Sequence, residues 1–242
     1  MRAMVLAAGL GTRLRPLTSD HPKALVEIAG RTLLEITLSR LREFGIHDVI
    51  VNTHHFADKL VQYLQTHDNF GMHIEVSREE ILLDTGGGLK KAAQFLEGSD
   101  EAFLLHNVDI LSTIDLARMA QSHRESGALA TLAVQERKTS RYLLFDDELQ
   151  LCGRRIDEDE IVRSVASPKP LAFAGIHMIS PRIFGLMREE GIFSIIDVYL
   201  RLAREAEPII GFRADEYYWR DVGKPESIAR AEADIKSGIL SI

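Results

Sequence analysis

Three cationic residues follow a glycine turn near the start of the chain, and their types predict a site for a polyphosphate. The apolar run at residues 4–8 has the pattern of a short buried strand, and it stops at the glycine-containing turn of residues 9–11. Glycine has no Cβ atom, so the backbone N–H groups of such a turn can approach phosphate oxygens closely. Arg13 and Arg15 would add guanidinium forks, and Lys23 would add a point charge.

The spacing of this turn excludes two familiar phosphate-binding motifs. A dinucleotide-binding fingerprint requires a third glycine where Leu14 stands, followed directly by a helix, which Pro16 and Pro22 disfavour. A Walker P-loop requires Gly-Lys-Ser/Thr, which is absent here. A surface strand-to-helix turn with incidental arginines is the alternative. The combination of strand, Gly-x-Gly-Thr-Arg-x-Arg-Pro-Leu-Thr and Pro-Lys favours phosphate binding over that alternative.

Two aspartates end strand-like segments and are candidates for holding a metal ion. Asp109 closely follows the apolar run at residues 102–105, and Asp221 ends the run at 217–222. Side chains at the carboxyl ends of parallel strands face the ligand crevice, and magnesium prefers one or two carboxylates together with phosphate oxygens. Taken alone, Asp109 could instead cap the next loop, and Asp221 is equally typical of a turn residue.

Two further glycine-containing segments admit either a ligand or a structural interpretation. Thr85, Gly86 and Gly87 belong to a glycine run before an apolar helical pattern, which suits backbone contact with a nucleoside or a flexible helix entry. Gly175 interrupts the apolar strand at residues 171–179, where it could admit a sugar ring or mark a bulge.

These segments resemble one family along nearly the whole chain. The block LAAGLGTRLRPLTSDHPKAL is similar to the signature of sugar-1-phosphate nucleotidyltransferases, and LDTGGG, NVD, FAGI and WRDVGKPE match later family segments. The usual family form reads Pro-Lys-Pro-Leu where this chain has Ala24, and relatives often have glycine where it has Val108. The resemblance is greatest to short members that transfer uridylyl or guanylyl groups.

The resemblance implies a fold, a reaction and a set of residues. The fold is α/β, a Rossmann-like, mainly parallel twisted sheet flanked by helices. The reaction transfers a nucleoside monophosphate from a triphosphate to a sugar 1-phosphate, releasing pyrophosphate, with Mg²⁺ held by Asp109 and Asp221. Catalysis is assigned to Arg13, Lys23 and Asp109, and sugar binding to Ala174, Gly175 and Lys169. The nucleotide would be bound by Leu6, Ala8, Gly9, Gly11, Thr12, Arg13, Arg15, Glu79, Thr85, Gly86, Gly87 and Asn107.

Composition narrows the class of protein further. The chain has 242 residues, 45% of them hydrophobic, which suits one large α/β domain or two closely fused lobes. The resemblance implies a single nucleotidyltransferase domain over 1–242, with a nucleotide-binding half at 1–135 and a sugar-binding half at 136–242. The net charge of −7 argues against nucleic acid as a partner. No apolar stretch reaches the length of a membrane span. The single cysteine, Cys152, excludes an internal disulfide and indicates a cytoplasmic protein.

The alternation of strand-like and helical runs indicates how the candidate site residues are positioned. Strand-like and helical runs alternate up to about residue 135, which predicts βαβ units, and a hairpin follows at 141–151. Residues 153–170 are expected to pass over the mouth of the site, and the protein is expected to be a monomer or small homo-oligomer.

Two alternative functions remain open. The protein could be a regulatory protein that binds nucleotide sugars without catalysis, or an enzyme of the phosphocholine cytidylyltransferase type.

Overall fold

A computed structural model describes residues 1–97 and 100–242. The helices are α1 Leu33–Glu43, α2 Ala57–Thr66, α3 Asp84–Lys91, α4 Ala93–Leu96, α5 Leu116–Ser126, α6 Ile183–Leu186, α7 Ile195–Arg204 and α8 Pro225–Lys236. The strands are β1 Arg2–Leu6, β2 Glu27–Ile28, β3 Arg31–Thr32, β4 Asp48–Thr53, β5 His73–Arg78, β6 Phe103–Asn107, β7 Ile110–Ser112, β8 Ala130–Gln135, β9 Tyr142–Phe145, β10 Leu151–Arg155, β11 Asp159–Ile161, β12 Lys169–Ile179, β13 Ile209–Arg213 and β14 Trp219–Asp221.

The chain folds into two compact units built from interleaved segments. The first unit comprises Met1–Leu82, His106–Ile114 and Tyr218–Ile242. The second comprises Leu83–Leu105 and Asp115–Tyr217. Each unit therefore combines residues that are far apart in sequence, whereas the two halves expected from the sequence are contiguous.

The first unit contains parallel strands whose carboxyl ends lie together. β4 pairs in parallel with β1 on one side and with β5 on the other. Residues 3–5 of β1 and the apolar residues of β4 are buried, as expected for strands covered on both faces. Thr32 caps α1 by accepting a hydrogen bond from Glu35 N at 3.1 Å, and Gly45 follows the helix with a φ of +73°.

A short antiparallel ribbon also belongs to the first unit. β7 pairs with β14, so that Ile110 stands opposite Asp221 and Ser112 opposite Trp219. The backbone N–H of Thr113 donates to the carbonyl of Tyr218 at 3.0 Å and continues this pairing. The ribbon joins chain segments that are more than a hundred residues apart.

The second unit is mostly antiparallel. Antiparallel pairs join β11 to β10, β10 to β9, β9 to β12 and β12 to β8, and β8 pairs in parallel with β13. Ser194 caps α7 by accepting from Ile196 N at 3.2 Å. The charged segment at 153–170 is partly paired, because residues 153–155 of β10 and β11 form an antiparallel hairpin within it.

The predicted α/β fold is confirmed as a mixed sheet arrangement flanked by helices, with parallel pairs prominent in the first unit. One boundary was wrong: the helix expected to follow the glycine run begins at Asp84, so the glycines form its first turns. Glycine is a poor helix former, and packing overrides that preference here. Among residues 1–97 and 100–242, no helix combines the length and apolar character needed to cross a membrane.

Candidate active site

The phosphate turn, residues 9–15, is shaped by Gly11. Its φ of +63° is left-handed, and its carbonyl accepts hydrogen bonds from Leu14 N at 2.9 Å and from Thr18 Oγ1 at 2.8 Å. A Cβ atom at this position would lie 3.0 Å from Thr18 Cγ2 and 3.2 Å from Lys23 Cβ. Both the backbone conformation and the available space therefore require glycine.

The two arginines of the phosphate turn are solvent-exposed. Within the described ranges 1–97 and 100–242, neither Arg13 nor Arg15 forms an ion pair. The guanidinium of Arg13 lies against Gly223, where an added Cβ atom would be 2.7 Å from Arg13 Nη2 and 2.8 Å from Asp221 Oδ1. Arg13 and Asp221 are therefore neighbours, and Gly223 provides the space between them.

Lys23 and Asp109 form an ion pair at the carboxyl end of β6. Lys23 Nζ donates to Asp109 Oδ2, and the two side chains are only 11% and 16% exposed. Lys23 starts a short 3₁₀ turn after Pro22, and Asp109 lies in the tight connection between β6 and β7. A mostly buried pair of opposite charges fixes the lysine next to the carboxylate.

Asp221 is brought next to Asp109 by the β7–β14 ribbon. The N–H of Val222 donates to the carbonyl of Asp109 at 2.9 Å, and Asp221 stands opposite Ile110. The N–H of Gly223 donates to Asp221 Oδ1 at 2.6 Å and orients that carboxylate. The two aspartates predicted from the sequence thus lie on adjacent chain segments of one unit.

The donor set fits a magnesium ion. One oxygen of Asp109 is engaged by Lys23 and one oxygen of Asp221 by Gly223 N, which leaves one carboxylate oxygen on each without a bond in the part of the chain that the structure describes. Two carboxylates completed by phosphate oxygens and water match the preference of Mg²⁺. The described residues contain no cluster of three or more side chains that could form a separate metal site.

Sequence reasoning missed Asn52, which lies at the carboxyl end of β4 and is 2% exposed. Its Oδ1 accepts from Ala7 N at 2.7 Å and Ala8 N at 3.3 Å, and its Nδ2 donates to Glu79 Oε1 at 2.7 Å. Any nucleotide contact of Ala8 must therefore use a group other than its N–H. The sequence did contain a signal for Asn52, because it is a polar residue at the end of an apolar strand. The same pattern identified Asp109.

Glu79 was predicted to contact the base, and the structure places it in the first unit with 5% exposure. Its N–H donates to Thr53 O at 2.8 Å, and its carbonyl accepts from His54 Nδ1 at 2.9 Å. Leu6 is likewise engaged, because its carbonyl accepts from Val108 N at 3.1 Å. Val108 is 2% exposed, so the core accommodates the side chain that relatives often lack.

Asn107 ends β6 beside a buried histidine. The Nδ1–H of His106 donates to the Asn107 carbonyl at 2.8 Å, and burial lowers the pKa of His106 to about 4. The imidazole is therefore neutral at physiological pH, and its proton holds the backbone just before Asp109. Gly9 and Thr12, also predicted to bind nucleotide, lie in the phosphate turn, and Thr12 is exposed.

The glycine run of the second unit is engaged in helix packing. The N–H groups of Gly86 and Gly87 both donate to the carbonyl of Phe193, at 2.9 and 3.2 Å. Thr85 Oγ1 accepts from Ile195 N at 3.0 Å, and a Cβ atom on Gly86 would lie 2.5 Å from the Phe193 ring. These glycines therefore permit a close contact within the second unit, while their nucleotide contact stays a prediction.

The predicted sugar-binding residues lie on β12, also in the second unit. The register of β12 against β8 shifts between Phe173 and His177, and Gly175 has a φ of +76°, which defines a β-bulge. Ala174 and Gly175 are both buried. Lys169, at the start of β12, is 55% exposed and forms an ion pair with Asp147 at 2.7 Å.

Cys152 and His54 could both take part in chemistry, but each has a structural environment. Cys152 is buried, and desolvation raises the pKa of its thiol to about 11, which disfavours the reactive thiolate. His54 is committed to the Glu79 carbonyl.

A phosphate turn beside a lysine–aspartate pair, at the carboxyl edge of parallel strands, defines a nucleotide-transferring class of α/β protein. The family model for nucleotidyl transferases matches residues 2–238, and the chain belongs to this family. The N-acetylmuramate alpha-1-phosphate uridylyltransferase of Caulobacter vibrioides is 35% identical over 96% of this chain and 95% of its own length. The mannose-1-phosphate guanylyltransferase of Mycobacterium tuberculosis is 31% identical, with 98% of this chain and 65% of the relative covered.

Solved structures share the fold. HddC from Yersinia pseudotuberculosis, complexed with GMP-PN, has a TM-score of 0.78 at 21% identity and covers 97% of this chain and 99% of its own. A UDP-glucose pyrophosphorylase complexed with UDP-glucose has a TM-score of 0.79 at 18% identity, with 98% of each chain covered. The predicted nucleotidyltransferase fold and class of enzyme are thus confirmed.

Proposed function

We propose that this protein transfers a uridylyl group from UTP to N-acetylmuramate α-1-phosphate or a closely related acidic sugar 1-phosphate, releasing pyrophosphate. The choice of base and sugar follows the Caulobacter relative, which matches this chain over nearly the full length of both proteins. The guanylyltransferase relative extends well beyond the matched region, since only 65% of it is covered. We place the reaction in the cytoplasm, consistent with a single, unpaired cysteine.

The observation that carries the proposal is the buried Lys23–Asp109 pair next to Asp221 and the phosphate turn. The reaction joins two anions, and each pair of unit charges ~4 Å apart repels by about 4 kcal/mol at an effective dielectric constant near 20. Cationic groups fixed in advance cancel this repulsion without reorganisation during the reaction. The first unit supplies these cationic groups from Met1–Leu82, and two further segments of the same unit contribute Asp109 and Asp221.

Each residue of this set has a distinct part in the proposed mechanism. N–H groups of the phosphate turn and the guanidinium of Arg13 hold the β- and γ-phosphates, and Arg15 assists with the leaving pyrophosphate. Lys23 bridges the α-phosphate and the incoming sugar phosphate, whose oxygen attacks in line. Asp109 and Asp221 would hold Mg²⁺, and a bound Mg²⁺ would neutralise charge on the phosphates. The attacking phosphate is already an anion, so no general base is required.

Arg137 supports the assignment of an acidic sugar. This half-buried arginine follows β8, and its Nη2 donates to the carbonyl of Phe173 at 2.7 Å, at the start of the β12 bulge. N-acetylmuramate carries a lactyl carboxylate that N-acetylglucosamine lacks, and a guanidinium is the side chain that best matches a carboxylate. We assign recognition of that carboxylate to Arg137 and contact with the sugar ring to Gly175 and Ala174.

The direct test is a matrix of UTP, GTP, CTP and dTTP against several sugar 1-phosphates, read by pyrophosphate release with and without Mg²⁺. We expect turnover to be greatest with UTP and N-acetylmuramate α-1-phosphate and to require the metal. Preference for GTP with mannose 1-phosphate, or for CTP with phosphocholine, would reassign the substrates. Absence of pyrophosphate release with every pair would favour a regulatory binding protein.

A separate substitution tests whether Arg137 recognises the carboxylate of the sugar. Arg137→Met should raise the KM for N-acetylmuramate α-1-phosphate by at least ~10-fold and leave the KM for N-acetylglucosamine 1-phosphate unchanged, since only the first carries the carboxylate. Arg182→Met serves as the control, because Arg182 is an exposed arginine paired with Glu207 in the same unit. Equal effects on both sugars would contradict the role of Arg137.

A further inference from the structure

Asn52 occupies a central position among the parallel strands of the first unit. It lies near the end of β4, which runs between β1 and β5, and it stands in register with Leu6 on one side and Ser77 on the other. The phosphate turn follows β1, and Glu79 follows β5. A side chain at this point can therefore reach both segments at once.

The three hydrogen bonds of Asn52 use both ends of its amide. Oδ1 accepts from Ala7 N and Ala8 N, the last N–H groups before the phosphate turn, and Nδ2 donates to Glu79 Oε1. Asn52 is 2% exposed and Glu79 is 5% exposed, so the network is shielded from water. Buried polar groups cannot exchange their partners for water, so their hydrogen bonds keep a fixed geometry.

Glu79 and two backbone N–H groups together set the orientation of the Asn52 amide. Backbone N–H groups only donate, so Asn52 Oδ1 faces Ala7 and Ala8, and its Nδ2 donates to Glu79 Oε1 on the other side. With the amide reversed, acceptor would face acceptor at Glu79, and donor would face donor at the backbone. The buried Glu79 side chain thereby reinforces the orientation that holds the entry to the phosphate turn.

We propose that Asn52 and Glu79 are positioning residues for the phosphate turn: Glu79 orients the Asn52 amide, and Asn52 anchors the backbone from which the turn departs. The inference rests on the proposed function only in that the anchored turn binds the triphosphate. It gives Glu79 a role through Asn52, and it predicts that changes here affect all nucleoside triphosphates alike.

Exchanging the amide of residue 52 and the carboxylate of residue 79 provides the decisive test. Asn52→Asp keeps the acceptor for Ala7 and Ala8 but places two carboxylates in contact without a donor between them. In the double variant Asn52→Asp/Glu79→Gln, the new carboxylate at position 52 again accepts from the backbone, and the new amide at position 79 supplies the missing donor. We expect Asn52→Asp to lower kcat/KM for UTP at least ~10-fold and the double variant to return within about 3-fold of wild type.

Base selectivity separates positioning from contact with the base. Glu79→Ala removes the acceptor of Asn52 Nδ2 and should lower kcat/KM for UTP and GTP by the same factor, leaving their ratio within about 2-fold of wild type. A changed ratio would overturn the proposal and favour direct recognition of the base by Glu79. A double variant no better than Asn52→Asp would overturn it as well.

A readout independent of catalysis completes the experiment. Amide hydrogen exchange at Ala7 and Ala8 should accelerate in Asn52→Asp and slow again in the double variant. This holds even if the enzyme prefers substrates other than those proposed, so the two proposals can fail separately. Unchanged exchange at both amides would overturn the anchoring role.

Gln135→Glu provides the matched control. Gln135 is a buried amide in the second unit, where its Nε2 donates to Ala214 O at 2.8 Å and Tyr217 O at 3.1 Å. Its replacement should lower thermal stability, yet leave exchange at Ala7 and Ala8 and the KM for UTP within about 2-fold of wild type. Changes equal to those of Asn52→Asp would mean that any buried amide has this effect, which contradicts the proposal.

Discussion

The two units of the protein place chemistry in different ways. In the first unit, charged side chains from three distant segments meet at the carboxyl ends of parallel strands, with the Lys23–Asp109 pair as their centre. In the second unit, the candidate sugar contact is a backbone feature, the bulge of β12 around Gly175. The first unit therefore depends on charge and the second on backbone shape, and substitutions should separate the two.

Asp109→Ala should have the largest effect. We expect turnover to fall at least ~100-fold with the fold intact, because the carboxylate pairs with Lys23 and is assigned to Mg²⁺. The measurement is pyrophosphate release at saturating substrate, together with thermal unfolding.

The control for Asp109 lies in the second unit. Asp115 caps α5 by accepting from Arg118 N at 2.9 Å, so Asp115→Ala should cost about 1 kcal/mol of stability without loss of turnover. Near-normal turnover of Asp109→Ala would contradict the assignment of Asp109 to Mg²⁺. It would also contradict the inference that the first unit depends on charge and the second on backbone shape.

Lys23→Ala should come next, with a loss in kcat of ~10- to ~100-fold and little change in triphosphate affinity, because a bridging cation acts mainly in the transition state. Lys169→Ala is the counterpart in the second unit. The resemblance assigned Lys169 to sugar binding, but this side chain is more than half exposed and pairs with Asp147 on the surface. Against that assignment, we expect the kinetic constants of Lys169→Ala to stay within about 2-fold of wild type. An effect of Lys23→Ala confined to affinity would contradict the bridging role.

The pH dependence of stability compares one buried histidine from each unit. Burial lowers the pKa of His106 and of His123 to about 4, from an ordinary value of 6.5. The folded state then binds fewer protons than the unfolded state, so stability is full above pH 6.5 and is lost as the pH falls toward 4. Each histidine should cost on the order of 2 kcal/mol between pH 7 and pH 5.

Chemical denaturation of His106→Gln and His123→Gln at both pH values measures the two contributions separately. Each variant should show a smaller difference between pH 7 and pH 5 than the wild type, because glutamine does not titrate. A difference as large as that of the wild type in either variant would exclude that histidine as a cause.

The smallest effects should come from glycines with positive φ. Gly11, Gly175 and Gly127 have φ values of +63°, +76° and +61°, and alanine at each should cost about 1 kcal/mol of stability. Gly127 serves as the control, because no atom lies within 4 Å of its added Cβ. Only Gly11→Ala should lower kcat, and only Gly175→Ala should raise the KM for the sugar 1-phosphate. The same kinetic change in Gly11→Ala and Gly175→Ala would contradict the separate roles assigned to the two units.

Much of this protein could be predicted from the sequence because it depends on local patterns. The apolar runs indicated β1, β6 and β12 to within a few residues, and the turn between two short runs indicated the hairpin of β9 and β10. Charge and glycine content singled out the phosphate turn, and the resemblance of several motifs indicated the family. These properties are determined by residues that are close together in the chain.

Only the tertiary structure decided which distant residues meet. Sequence spacing does not bring Asp221 beside Asp109; the pairing of β14 with β7 does. The link from Asn52 to Ala7 and Glu79 likewise requires three strands in one register. The close fit of Gly86 to Phe193 depends on how distant segments of the second unit pack. Contacts of this kind depend on register and packing across the whole fold, which no local pattern encodes.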